Sequence, residues 1–302
     1  MSARQVAARH YQDRLRLIHA IVRLARQAWR QVDQTDIAGS WRAQIPRLMV
    51  ALIGAQLAAA QTADEYLTTV LAEQGIDPEP EGVLIPSALA GIASDGRDLE
   101  SLLYRPVVAA KVAIGGGASP GRALAVGQAT LDAIVQTQVA DAGRVADQVA
   151  LTARREATGY VRMVVGASCA RCIILAGRWY RWSQGFQRHP RCDCVHIPSR
   201  ESIAGDITTS PRAIFESMSP EEQDRVFGKD GAQAIRDGAD MARVVNARRG
   251  MYTAGGLRLT REATTRRGIG RPVRLMPEEI YRQANGNRDE ALRLLRLHGY
   301  IR

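Results

Sequence analysis

Four cysteines and two histidines fall in one short segment, Cys169-Ala-Arg-Cys172, sixteen residues, then His189-Pro-Arg-Cys192-Asp-Cys194-Val-His196. No other cysteine occurs in the 302 residues. Cys169/Cys172 and His189/Cys192 are i,i+3 pairs, the spacing at which a tight turn aims two ligands at one ion. Thiolate and imidazole together suit Zn2+, a borderline-soft ion that takes four ligands tetrahedrally. The candidate metal ligands are Cys169, Cys172, His189, Cys192 and Cys194, with His196 a sixth donor, so the segment offers more ligands than one zinc takes. Two disulfides and reduced, unliganded thiols are the other readings of the same residues. The opening Met-Ser-Ala-Arg-Gln has no apolar leader run, which predicts a reducing compartment and disfavours the disulfides. Four protein ligands would leave no position for water, so the zinc would be structural and contribute folding free energy on the order of 10 kcal/mol.

The elements around this segment change character at Tyr160. Before it the sequence reads as helices. Tyr11, Leu15, Ile18, Val22, Ala25, Trp29 and Val32 step at a/d spacing, and Leu17, Ile21, Leu24 and Ala28 widen the stripe, leaving Arg14, Arg16, Arg23, Arg26 and Arg30 for solvent or a partner. That face packs either within the chain or against a second copy. Pro46 is expected to open a second helix reaching about Leu71, and residues 75–96, with Gly75, Pro78, Pro80, Gly82 and Pro86, read as a connection. Short helices follow from Arg97 to Ala113. The run Gly115-Gly116-Gly117 has no following Lys-Ser/Thr and no strand before it, so it reads as a helix stop rather than a phosphate cradle. Ser119-Pro120 should start a long helix that runs to about Ala157 and is ended by Gly159. Tyr160-Val-Arg-Met-Val-Val reads as a strand, and Trp179-Tyr180-Arg181-Trp182 as the strand of a hairpin between the ligand pairs.

At this point the residues carry a resemblance. Cys169-x-x-Cys172, Leu175-Ala-Gly177, an aromatic pair and His189-Pro-Arg-Cys192-Asp-Cys194 resemble the signature of the phage Mu protein F-like family over roughly residues 100–200, with Asp193 where the family is often basic. The resemblance implies a minor capsid or head-morphogenesis protein of a tailed phage, acting in procapsid assembly near the portal. The whole chain is similar to actinobacteriophage variants often labelled capsid maturation protease. The implied partners are portal, capsid or scaffold proteins. The implied place is the virion, in the head interior or beside the portal, after synthesis in the host bacterial cytoplasm.

Charge adds a further expectation. The net charge is +10, and arginine outnumbers lysine 39 to 2; residues 1–150 sum to −1 and 151–302 to +11. The basic half is a candidate for contact with packaged DNA. Ser219-Pro-Glu-Glu222 is a capping box opening a helix to about Phe227, and another helix is expected over Gly231 to Val245. Arg243 to Arg274 holds nine arginines, one acid and five glycines, and reads as a basic loop. Pro277-Glu-Glu and Asn287-x-x-Glu290 begin two closing helices, the last with Leu292, Leu295 and His298 on one face.

The fold class expected is α+β: a mostly helical N-terminal region (1–96), a long helix with the Cys/His zinc-binding domain (97–205), and a helical, basic-loop C-terminal region (206–302). The zinc-stabilised α+β part is small. The longest charge-free run, between Arg47 and Asp64, falls short of the roughly 20 apolar residues of a bilayer span, so no membrane partner is expected. Proteolysis has little support from the residues. The Gly-x-Ser-x-Gly match, Gly117-Ala-Ser119-Pro-Gly121, has no strand before it and so does not read as a nucleophile elbow; there is no His-Glu-x-x-His helix, and the bases outside the metal segment are His10, His19 and His298. Capsid maturation protease and DNA-binding zinc module stand as the alternatives to a structural role.

Overall fold

The computed structural model describes residues 1–166, 168–185, 194–262 and 273–301. It is mostly helical with small sheets toward the C-terminal part, an α+β fold. The chain divides into two compact units, one of residues 1–165 with 179–207, the other of 166–178 with 208–302.

The first unit is built on α1 (Ala3–Trp29), α2 (Ile37–Gln61), α3 (Ala63–Ala72), α4 (Leu99–Leu103), α5 (Arg105–Gly115) and α6 (Pro120–Thr152). Ser2 and Gln5 form a reciprocal capping box at the start of α1. Ile18, Ile21, Val22, Ala25 and Trp29 then bury one stripe of that helix, as its spacing predicts, while Leu24 is exposed. Arg14 departs from expectation: it is buried, not solvent-facing, and Arg26 bonds to Asp132 on α6.

Asp36 caps α2 by accepting from Gly39 N, so Pro46 sits inside the helix rather than opening it. Proline in a helix interior costs roughly 3 kcal/mol. Burial of Trp41, Ile45, Leu48 and Leu52 offsets it, and the Trp41 indole donates to Leu103 O at 2.8 Å. The helical run Ile37–Ala72 is long and apolar enough, by length and composition alone, to cross a membrane. A count of charge-free residues misses this, because one or two charges leave the mean hydropathy of the run high. Here Leu52, Ala59, Ala60 and Leu67 are buried in the helical core.

Ser119 caps α6, accepting from Arg122 N. The helix stops at Thr152, five residues before the expected end, because buried Arg154 leaves the helical path and bonds to Pro78 O, Ala150 O, Thr68 and Asp64. On α6, Leu131, Val135 and Ala142 are buried, while Val145 and Val149 are exposed. Gly159 begins a strand instead of ending the helix, since a β-carbon there would lie 2.1 Å from Tyr180 O. Three strands, β1 (Gly159–Val164), β2 (Trp179–Arg181) and β3 (Cys194–Ser199), form an antiparallel sheet ordered β2-β1-β3, with Val164 opposite Cys194 and Arg162 opposite His196.

The second unit holds α7 (Ala170–Ile173), α8 (Pro211–Glu216), α9 (Pro220–Phe227), α10 (Lys229–Arg236), α11 (Met241–Ala247), β4 (Met251–Ala254), β5 (Leu257–Thr260), β6 (Arg274–Leu275), α12 (Pro277–Ala284) and α13 (Arg288–Leu297). Phe215, Phe227, Ile235, Val244, Met276, Ile280, Leu295 and Tyr300 form its core, with Ile173 of α7 among them. The Ser219/Glu222 capping box is present in both directions, and Asn287 accepts from Glu290 N, as expected. The single helix expected over 231–245 is two, because Gly238 takes a left-handed φ of 97° and Asp240 caps α11. Residues 251–260, read as loop, are the hairpin β4–β5, turned by Gly255 and Gly256, both at positive φ. Positive φ at both central residues is what a two-residue turn matched to strand twist requires.

Candidate functional site

Cys169 is the residue before the first turn of α7, exposed, and Cys172 lies within that turn, buried. The Cys172 and Ile173 amides both donate to Cys169 O, at 2.9 and 3.1 Å. That turn brings the two sulfurs to 3.7 Å. A disulfide would need about 2.05 Å. Two thiolates on one tetrahedral zinc, with Zn–S of about 2.3 Å, stand about 3.8 Å apart. The pair therefore fits a shared metal ion without moving. After it, Gly177 takes φ 73° and packs so tightly that a β-carbon would meet Thr209 O at 2.2 Å. Only glycine satisfies both conditions.

Cys194 begins β3 and is buried, with its sulfur accepting from Arg162 Nη2 at 3.2 Å. Alternation along the paired strands places Arg162, Cys194 and His196 on one face of the sheet. His196 is buried with its ring stacked on Tyr160 at 4.3 Å. Its pKa is pushed down to about 3, by burial first; Asp147 opposes this, and Arg144, Arg14 and Arg162 reinforce it. The imidazole is thus neutral at ordinary pH. His189 and Cys192 lie outside the described residues. Among the described residues no group of three or more His, Cys, Asp or Glu stands ready to hold a metal.

A polar cluster that the sequence did not announce fills the same unit as Cys194. Arg14 Nη2 donates to Asp147 at 2.8 Å and stands 2.6 Å from His10 Nε2, which is 3.0 Å from Asp147. All three side chains are buried, and Tyr66 stacks on His10 at 3.9 Å while its hydroxyl donates to His196 O. Burial acts to raise the Asp147 carboxyl; the Arg14 guanidinium and the His10 ring overcome it and hold Asp147 well below the usual carboxylate range. Asp141 and Arg144 form a second buried pair one turn earlier on α6. The one sequence cue is spacing: Asp141, Arg144 and Asp147 recur every three residues along α6.

The three histidines weighed as protease bases are placed as follows. His10 belongs to the buried cluster, His19 is exposed on α1, and His298 Nδ1 accepts from Leu275 N at 3.4 Å. Among the described residues, no side-chain hydroxyl is hydrogen-bonded to any of the three rings.

Fold and site together define an α+β chain with a helical body and a cysteine-bearing turn. Residues 107–219 match the model of a viral (phage) protein family described as VG15 protein. The matched stretch holds α6, β1 to β3, α7 and all five candidate ligand positions. No curated protein and no solved structure matches the chain.

Proposed function

We propose that this chain is a minor capsid or head-morphogenesis protein of a tailed phage, of the Mu protein F-like kind, with a structural role in procapsid assembly near the portal. The observation that carries the reading is the match of residues 107–219 to a phage protein family over the very stretch that contains the cysteine/histidine segment. The long α1 and α6 supply a helical body suited to packing among other proteins, and the partners are portal, capsid or scaffold proteins.

Within this reading, Cys169 and Cys172 supply two ligands of a structural Zn2+, and the other two come from His189, Cys192 and Cys194. The 3.7 Å sulfur separation supports the first pair. The remaining donors are of matching chemistry, thiolate and imidazole. Such an ion would crosslink sequence-distant turns and fix a local fold. The chain's own residues prepare for it: Gly177 permits the close turn after α7, and Arg162 donates a hydrogen bond to the Cys194 sulfur.

The experiment is expression of the chain with its phage's portal, scaffold and major capsid proteins, followed by isolation of procapsids. The expected result is this chain in the purified particles at fixed stoichiometry, with assembly impaired when it is omitted. Particles of normal yield and shape that never contain the chain would contradict the reading.

A further inference from the structure

We propose that the β4–β5 hairpin is a nucleic-acid contact that binds the phosphodiester backbone. Five arginines and one glutamate lie between residues 243 and 262. Elsewhere in the second unit most arginines already have carboxylates: Arg212 with Glu216, Arg225 with Glu222, Arg236 with Asp224, Arg282 with Glu279, and Arg293 with Glu290. The hairpin differs. Arg249 and Arg258 are exposed and make no ion pair among the described residues, and exposed Arg261 lies over the Tyr252 ring at 4.7 Å. Arg249 and Arg258 thus leave cationic charge without an ion pair, among the described residues, on one ribbon and its base.

The ribbon is also a firm platform. Arg261 N donates to Gly250 O at 3.2 Å, and Thr260 Oγ1 donates to Ala247 O at 2.6 Å, which ties the base of the hairpin to α11. Leu257 and Leu259 pack toward the core of the unit. Strand alternation then leaves Met251, Thr253 and Arg258 on the opposite, exposed face. A two-stranded ribbon is narrow enough to enter a duplex groove of about 12 Å, and guanidinium forks pair with phosphate in two parallel hydrogen bonds. The alternative occupant, an acidic protein surface, would call for a buried aromatic anchor; the exposed face offers only Met251 and Thr253 beside its cation.

The test is fluorescence anisotropy of the full chain with a labelled mixed-sequence duplex of about 30 base pairs, at several salt concentrations between about 50 and 200 mM. Each lost phosphate contact lowers the slope of log affinity against log salt by about 1. Arg249→Ala/Arg258→Ala should therefore lower it by about 2. Arg225→Ala/Arg293→Ala removes the same charge from ion-paired positions of the same unit and should leave the slope unchanged. Both doubles alter exposed side chains, and matching thermal melts confirm that each is folded. Absence of salt-dependent binding, or equal slope loss in the two doubles, would overturn the proposal. So would hairpin-dependent binding of polyglutamate as tight as that of the duplex.

Discussion

Gly143 on α6 lies directly beneath the Arg14 guanidinium of α1: a β-carbon at 143 would stand 2.5 Å from Arg14 Nε and 2.8 Å from its Cζ. The glycine is the space in which the buried cation reaches Asp147. Gly143→Ala should displace Arg14 and leave charge buried without its partner, at a cost of about 3 kcal/mol in urea unfolding. In an Arg14→Ala background the same change should cost markedly less, because the methyl group occupies space the guanidinium has left. Equal cost in both backgrounds would separate Gly143 from Arg14.

Asp147 gives the fold an acid limit. Its carboxyl sits below its unfolded value of about 3.9, so the ionised form is the one the fold favours. The stabilisation is present in full above that value and is lost as pH falls through it toward the folded-state pKa. Thermal melts from pH 6 down to pH 2 should show Tm dropping most steeply below about pH 4. Asp147→Asn should be destabilised by about 3–5 kcal/mol at neutral pH and show a shallower fall with acid. A variant as stable as the parent at pH 7 would refute the role given to this carboxylate.

Gly177 and Gly166 share a left-handed backbone, at φ 73° and 71°, but only Gly177 is pressed against another segment. Around Gly166 nothing lies within 4 Å of the β-carbon position. Gly166→Ala should cost only the backbone strain, about 1 kcal/mol. Gly177→Ala adds the clash with Thr209 and should cost at least about twice that. Comparing the two by chemical denaturation isolates the close approach, and similar costs would show that Thr209 yields freely.

What was legible in the sequence was what is local. Ser119-Pro120, Ser219-x-x-Glu222 and Asn287-x-x-Glu290 each place a cap within three residues of the amide it satisfies, and each is where it should be. Cys169 and Cys172 likewise meet through a single turn. The spacing leaves Arg14 for solvent or a partner because Asp147, which neutralises it, is 133 residues away, and no local pattern marks a cation as neutralised. Pro46 lies inside α2 and Gly159 begins β1 for a related reason: tertiary burial of Trp41 outweighs the proline, and Tyr180 demands the glycine. The hairpin is the instructive miss. Gly255-Gly256 between Tyr252-x-Ala254 and Leu257-x-Leu259 is a turn flanked by alternation, a signal that the density of arginine obscured.

The metal content of the purified chain tests the account most directly. Elemental analysis of protein prepared under reducing, chelator-free conditions should give one zinc per chain. Cys169→Ser and Cys172→Ser should lower that occupancy, and chelation should lower the Tm of the parent. A parent chain that carries no zinc, takes up none on titration, and melts at the same temperature with and without chelator would contradict it.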